Sequence, residues 1–126
     1  MAATKTKITI ETMYWLPYCT TCQKAKAYLE AAGAKVAATV DVKTEPVSMA
    51  TLKKLAKGVG GVEALFSKRA IKYRSLGLHE QTLSEQAMLD WMHQEYTFIK
   101  RPVIVTTDGR TLAGFSKKQY DALLSG

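Results

Sequence analysis

The chain lacks the long apolar runs of a membrane protein, since none approaches the roughly 20 residues that a helix needs to cross a bilayer. It also lacks a secretory signal, because residues 1–7 are small and polar and contain no apolar core. It has no internal repeat and no low-complexity linker. We therefore expect a single domain over residues 1–126, located in the cytoplasm.

Cysteine is scarce, and the two that are present, Cys19 and Cys22, form one C-x-x-C pair. In the cytoplasm such a pair is more often catalytic, redox-sensing or metal-binding than structural. Zinc needs four ligands, but there is no second C-x-x-C, and the spacing of His79 and His93 matches no zinc module. A redox pair, half of a metal site and two buried small side chains all stay open, and the redox pair is favoured. We expect no bound metal.

Acidic residues are outnumbered, with 11 against 18 basic residues and a net charge of +7. Such a surplus suits anionic small molecules, acidic protein patches or weak nucleic-acid contact. The basic residues are spread along the chain, however, and this distribution is typical of a solvated surface. No helix-turn-helix or RNP signature is present, so we expect no direct nucleic-acid recognition.

The first 42 residues contain a strand, a helix and a second strand in order. "ITIETMYW" at residues 8–15 alternates as a strand does, and Pro17 ends it. "CQKAKAYLEAAG" at residues 22–33 predicts a helix with Gly33 just past its end. "KVAATVDV" at residues 35–42 predicts the next strand. Together these elements predict a βαβ unit with parallel strands.

The middle of the chain, about residues 44–96, has helical periodicity, with Ser48 and Ser84 as candidate N-caps. Asp108-Gly109 between two extended runs then predicts a β-hairpin, and a final helix begins after Ser116. This order predicts an α/β fold of the thioredoxin-like type. Its mixed sheet of about four strands carries an inserted helical segment over about residues 44–96.

The predicted position of Cys19 is the turn between the first strand and the first helix. Unpaired N–H groups and partial positive charge at a helix N-terminus favour the thiolate, and Lys24 and Lys26 add positive charge nearby. Cys22 lies about one turn further on and is more sheltered. We therefore predict that Cys19 is the nucleophile and Cys22 the resolving thiol.

Arg101 and Pro102 are the second informative pair. Pro102 is either a proline tolerated at the start of a strand or a cis proline packed against the cysteine turn. In the second case Arg101 would point towards Cys19, where its guanidinium could hold an oxyanion or a carboxylate. A solvated arginine beside Lys100 is the alternative, and the pattern alone does not separate the two.

Three blocks, "YWLPYCTTCQKAKAYLEAAG", "LFSKRAIKYRSLGL" and "IKRPVIVTTDGRTLAGFSKKQYDALL", resemble the ArsC/Spx family in the expected order. That family comprises glutaredoxin-coupled arsenate reductases, the redox-sensing regulator Spx and members such as YffB. The resemblance covers roughly residues 8–125. It implies a thioredoxin-like core with a helical insertion and a thiol reductant such as glutathione, glutaredoxin or thioredoxin.

The resemblance to the arsenate reductases is incomplete at the anion-binding positions. Cys19 matches their catalytic cysteine, and Arg101 matches one of their three arginines. Glu63 and the neighbourhood of Gly114 stand where the other two are expected. A glutamate would repel an oxyanion, so we expect no useful arsenate turnover.

The second cysteine makes the chain look closest to the Spx branch, whose C-x-x-C is a disulfide switch. The resemblance implies that Arg69, in "SKR", could sit over the cysteine pair and stabilise thiolate. Two functions therefore remain open. One is a thiol–disulfide reductase related to arsenate reductases. The other is a Spx-like regulator that binds the C-terminal domain of the RNA polymerase α-subunit.

Overall fold

The computed structural model describes residues 6–125 of the chain. The segment of residues 1–7, which we expect to carry no signal, lies mostly outside these residues. The described chain divides into two compact units. We call residues 6–41 with 101–125 the sheet unit, and Val42–Lys100 the helical unit. Among residues 6–125, no helix is both long and apolar enough to span a membrane.

The sheet unit is built on a central strand with neighbours on both sides. Its elements are β1 (Thr9–Trp15), α1 (Thr20–Ala31), β2 (Lys35–Val36), β3 (Thr39–Asp41), β4 (Val103–Thr106), β5 (Thr111–Ala113) and α6 (Lys117–Ser125). The short strands β2 and β3 pair in parallel with β1 on one side, and the hairpin of β4 and β5 pairs antiparallel on the other. The strand order is β2-β1-β4-β5, with β3 also on β1.

The predicted α/β class with a mixed sheet is confirmed, but the prediction of one strand over residues 35–42 is wrong. Ala37 and Ala38 separate β2 from β3, so the sheet has five strands. Their backbones still bond β1, through the Ala37 N–H to Ile10 and the Met13 N–H to Ala38. Alanine is a weak strand former, which fits a break here. β1 keeps the same register with both segments, through Ile10↔Val36 and Met13↔Thr39.

The hairpin prediction is confirmed. Gly109 has a φ of 90°, which a residue with a Cβ rarely adopts, and its N–H donates to the Thr106 carbonyl at 3.0 Å. Strands β4 and β5 pair antiparallel through Val103↔Ala113 and Val105↔Thr111. The turn therefore sets the register of β5 against β4. β4 begins directly after Pro102.

The core of the sheet unit combines residues from the strands and from both helices. Its buried side chains are Ile10, Met13, Ala25, Leu29, Ala34, Ile104, Tyr120 and Leu123. Tyr120 stacks edge-on against Phe115, with ring centroids 5.0 Å apart, and Phe115 in turn meets Tyr28 at 5.6 Å. Helix α1 is thereby packed against α6 at its apolar face.

The helical unit contains four helices and two short 3₁₀ turns. The predicted N-caps are confirmed, because Ser48 accepts the N–H of Thr51 and Ser84 accepts the N–H of Ala87. Met88, four residues after Ser84, is buried. The elements are α2 (Met49–Gly58), α3 (Val62–Leu65), α4 (Ile71–Ser75), Leu78–Glu80, α5 (Glu85–Gln94) and Tyr96–Phe98.

An aromatic cluster lies at the centre of the helical unit. The rings of Phe66 and Phe98 stack with centroids 5.3 Å apart, and Trp91 meets Phe98 edge-on at 5.8 Å. A bridge between Phe66 and Ile99 ties the chain after α3 to the segment that leaves the unit. The boundaries predicted for the helical insertion and for a single domain stay predictions.

Candidate functional site

The cysteine pair lies at the junction of β1 and α1. Pro17 follows β1, and the N–H of Cys19 donates to the Leu16 carbonyl at 3.0 Å to close a tight turn. The Gln23 side chain holds that turn by donating to the Pro17 carbonyl at 2.8 Å. Cys19 is the N-cap of α1, so the helix begins at Thr20 rather than at residue 22 as predicted.

Cys19 is partly exposed and its thiol is more acidic than usual. Burial by itself works against ionisation, but hydrogen bonds outweigh it and lower the pKa of Cys19 below its ordinary value. The donors are the backbone N–H and the thiol of Cys22 and the backbone N–H of Thr21, and the charge of Arg101 adds to them. The Cys19 side chain makes no N-cap hydrogen bond of the usual geometry. The effect of the nearby N–H groups is to stabilise the anionic form of its sulfur.

Cys22 has the opposite environment, since its side chain is 0% exposed. Burial is the main cause that raises the pKa of Cys22 to about 12. The neighbouring Cys19 raises it further, through the hydrogen bond between the two sulfurs and through its negative charge. The backbone N–H of Leu16 and the charge of Arg101 oppose this shift without cancelling it. No disulfide joins the two thiols.

Arg101 and Pro102 lie directly before β4, and the peptide bond between them is cis. The charge of Arg101 acts on both cysteine sulfurs. The sequence left open whether Arg101 points towards Cys19 or into solvent, and in the structure its charge acts on the cysteines. Its part in the chemistry stays a prediction. The sequence also predicts a similar effect for Lys26, but its ammonium instead pairs with Glu30 at 2.9 Å.

Two residues near the pair were not singled out from the sequence. Leu16 contacts both cysteines through its backbone, as acceptor for the Cys19 N–H and donor to the Cys22 sulfur. Tyr120 of α6 is fully buried, and burial followed by the charge of Cys22 raises the pKa of its hydroxyl. Leu16 acts through its backbone, and a backbone hydrogen bond does not depend on the residue type, so the sequence does not predict it. Only the inward position of Tyr120 on its helix was predictable.

Two further positions named from the sequence, Arg69 and Glu63, belong to the helical unit. Arg69 lies in the exposed turn between α3 and α4, and its role beside the cysteines stays a prediction. Glu63 is exposed on α3 and pairs with Lys68, Oε1 to Nζ, at 3.0 Å. In residues 6–125, no group of three or more His, Cys, Asp or Glu side chains is arranged to hold a metal ion.

Known proteins are similar to this chain in sequence. The uncharacterized protein YusI of Bacillus subtilis is 35% identical over 114 residues, covering 87% of this chain and 94% of YusI. An Escherichia coli arsenate reductase is 30% identical, with 89% and 79% covered. The global transcriptional regulator Spx 1 of Lactococcus lactis is 28% identical, with 89% and 87% covered.

Solved structures and family models agree with these relatives. The arsenate reductase from Vibrio cholerae superimposes with a TM-score of 0.75 at 24% identity, covering 93% of this chain and 98% of the reductase. At that identity the likeness shows the fold. The model of the ArsC family matches residues 14–123, which include the end of β1, the cysteine turn and the four other strands. The chain therefore belongs to the ArsC family.

Proposed function

We propose that the protein is a thiol–disulfide reductase of the cytoplasm, in which Cys19 attacks and Cys22 resolves. The observation that carries this proposal is the contrast between two hydrogen-bonded thiols. One is partly exposed with a lowered pKa, and the other is buried with a pKa raised to about 12. At neutral pH a larger fraction of the first thiol than of the second is therefore thiolate.

The reaction has two exchange steps. The Cys19 thiolate attacks one sulfur of a substrate disulfide, forms a mixed disulfide and releases the other sulfur as a thiolate. Cys22 then loses its proton and attacks the Cys19 sulfur, which releases the second substrate thiol. The substrate gains two electrons and the cysteine pair becomes a disulfide. A thiol reductant such as glutathione, glutaredoxin or thioredoxin restores the dithiol.

The environment of Cys22 supports this order of events. Part of its raised pKa comes from the hydrogen bond to Cys19 and from the Cys19 charge. Both disappear once the Cys19 sulfur is in a mixed disulfide, so Cys22 becomes easier to deprotonate when it is needed. Arg101, which acts on both sulfurs, favours the anion at each step.

The test uses 2-hydroxyethyl disulfide as the oxidised probe, with intact-protein mass as the readout. Cys19→Ser is expected to abolish the reaction, whereas Cys22→Ser is expected to trap a stable mixed disulfide on Cys19. A trapped adduct on Cys22 in the Cys19→Ser variant, formed as fast as the one on Cys19, would contradict the assigned roles.

Arsenate is not the substrate that we propose. Glu63 carries a negative charge at a position where the arsenate reductases are expected to have an arginine, and its partner is Lys68. We expect no turnover of arsenate with glutathione and glutaredoxin, measured by oxidation of NADPH through glutathione reductase. Robust turnover would overturn this assignment.

The alternative function is a redox-sensing regulator, supported by the similarity to Spx 1 of Lactococcus lactis. A reversible Cys19–Cys22 disulfide would then change a surface that RNA polymerase recognises through its α-subunit. The test is a pull-down of the C-terminal domain of the RNA polymerase α-subunit, once with the oxidised protein and once with the reduced protein. Binding in one redox state favours the regulator, and no binding in either state favours the reductase.

A further inference from the structure

An open groove of about 710 Å³ runs beside the cysteine turn, between α1 and the start of α6. We call it the lysine groove. Its volume falls within the range of about 300–1,000 Å³ that is typical of ligand sites. The residues that line it are Thr21, Lys24, Ala27, Tyr28, Phe115 and Lys117.

The floor of the lysine groove is formed by two aromatic rings. Tyr28 and Phe115 meet edge-on with ring centroids 5.6 Å apart, and both rings are half-buried. The Tyr28 hydroxyl donates to the Asp121 carboxylate, which orients the ring and occupies that acidic group. The floor therefore offers aromatic surface to the carbon atoms of a ligand.

The walls of the lysine groove carry positive charge. Lys24 and Lys117 are exposed, and within residues 6–125 neither ammonium lies within ion-pair distance of a carboxylate. Other lysines do have such partners, as the pair of Lys26 with Glu30 shows. Two uncompensated ammonium groups over an aromatic floor suit a ligand with apolar and acidic side chains.

The lysine groove adjoins the cysteine turn. Thr21 lines it, and the backbone N–H of the same residue donates to the Cys19 sulfur. A chain whose disulfide reaches Cys19 can therefore continue directly into the groove. An extended peptide advances about 3.3–3.6 Å per residue, so side chains a few positions from the disulfide fall over the two lysines.

We propose that the lysine groove binds an acidic peptide segment next to the disulfide of a protein substrate. This inference rests on the proposed reductase function and adds its substrate class. In the reaction, the Cys19 thiolate forms a bond to the peptide sulfur while the original disulfide breaks and its other sulfur leaves as a thiolate. Lys24 and Lys117 pair with the acidic side chains and hold the peptide during this exchange.

The experiment measures the rate at which Cys19 reacts with peptides that carry one cysteine as a 2-pyridyl disulfide. Release of 2-thiopyridone is followed by absorbance, in a Cys22→Ser background that stops at the mixed disulfide. Two peptides are compared, with Asp and Glu beside the cysteine or with Asn and Gln instead. Exposed ion pairs are weak, so we expect the acidic peptide to react about three- to tenfold faster at low salt.

The deciding variant is Lys24→Gln/Lys117→Gln, with Lys53→Gln/Lys54→Gln on α2 as a control that loses the same net charge. The preference, measured in each variant as the ratio of the rates with the acidic and the neutral peptide, should vanish in the first variant and persist in the control. An unchanged preference in the first variant, or an equal loss in both, would overturn the groove assignment.

Two further arms separate the remaining outcomes. The 2-pyridyl disulfides of 3-mercaptopropionate and 2-mercaptoethanol differ in one carboxylate. If they show the same lysine-dependent preference as the peptides, the groove recognises any carboxylate near sulfur and the peptide assignment is wrong. If neither peptide reacts at Cys19, the proposed reductase function is wrong. If both peptides react at the same rate, only the groove assignment is wrong.

Discussion

The difference in acidity between the two thiols leads to a quantitative prediction about their alkylation. Cys22→Ser leaves Cys19 as the single thiol, and Cys19→Ser leaves Cys22. A thiol with the ordinary pKa of 9.0 is about 1% thiolate at pH 7, whereas a pKa of about 12 leaves on the order of 0.001%. This difference in pKa corresponds to about 4 kcal/mol.

Burial is the largest cause of the shift of Cys22, and it persists when Cys19 becomes serine. The contribution from the Cys19 sulfur disappears in that variant, so the full thousandfold loss of thiolate is an upper value. We expect Cys22 to react with iodoacetamide at least about a hundredfold more slowly than Cys19 at pH 7. The pH midpoint for Cys19 should lie below that of a free cysteine, because its folded pKa is lowered.

The assay follows alkylation by intact-protein mass between pH 5 and pH 10, and both variants are repeated in concentrated guanidinium chloride as a control. Unfolding removes the burial and the hydrogen bonds, so the two rates should converge. Equal rates in the folded variants, or faster reaction of Cys22, would refute the electrostatic account of the site.

Three other changes test separate contacts. Arg101→Gln should raise the pKa of Cys19 and slow its alkylation at pH 7 about two- to fivefold, whereas Arg101→Lys should retain most of the rate. Leu29→Ala, in a side chain that is 0% exposed, should lower the free energy of unfolding by about 2–5 kcal/mol in urea titrations, and a loss under 1 kcal/mol would contradict its core position. Ser48→Ala removes the acceptor for the Thr51 N–H and should cost about 1 kcal/mol, while Ser48→Asp keeps the cap and should not.

Local features of the fold were predictable from the sequence because they depend on neighbouring residues. The hairpin follows from Gly109, whose φ of 90° needs a residue without a Cβ. The caps at Ser48 and Ser84 were predictable because a serine hydroxyl at an N-cap accepts the backbone N–H of the residue three positions later in the chain. The break between β2 and β3 did not follow from the pattern of residues 35–42, where its only local sign is the weak strand propensity of Ala37 and Ala38.

The candidate site divides in the same way. The sequence by itself determined that Cys19 would meet the first N–H groups of a helix and that Cys22 would lie one turn behind it, because both positions follow from the order of strand, proline and helix. Only the tertiary structure decided how strongly the two thiols differ. Burial of Cys22 and the charge of Arg101 depend on strands that are distant in the chain and pack side by side, and desolvation and Coulomb interactions act through space.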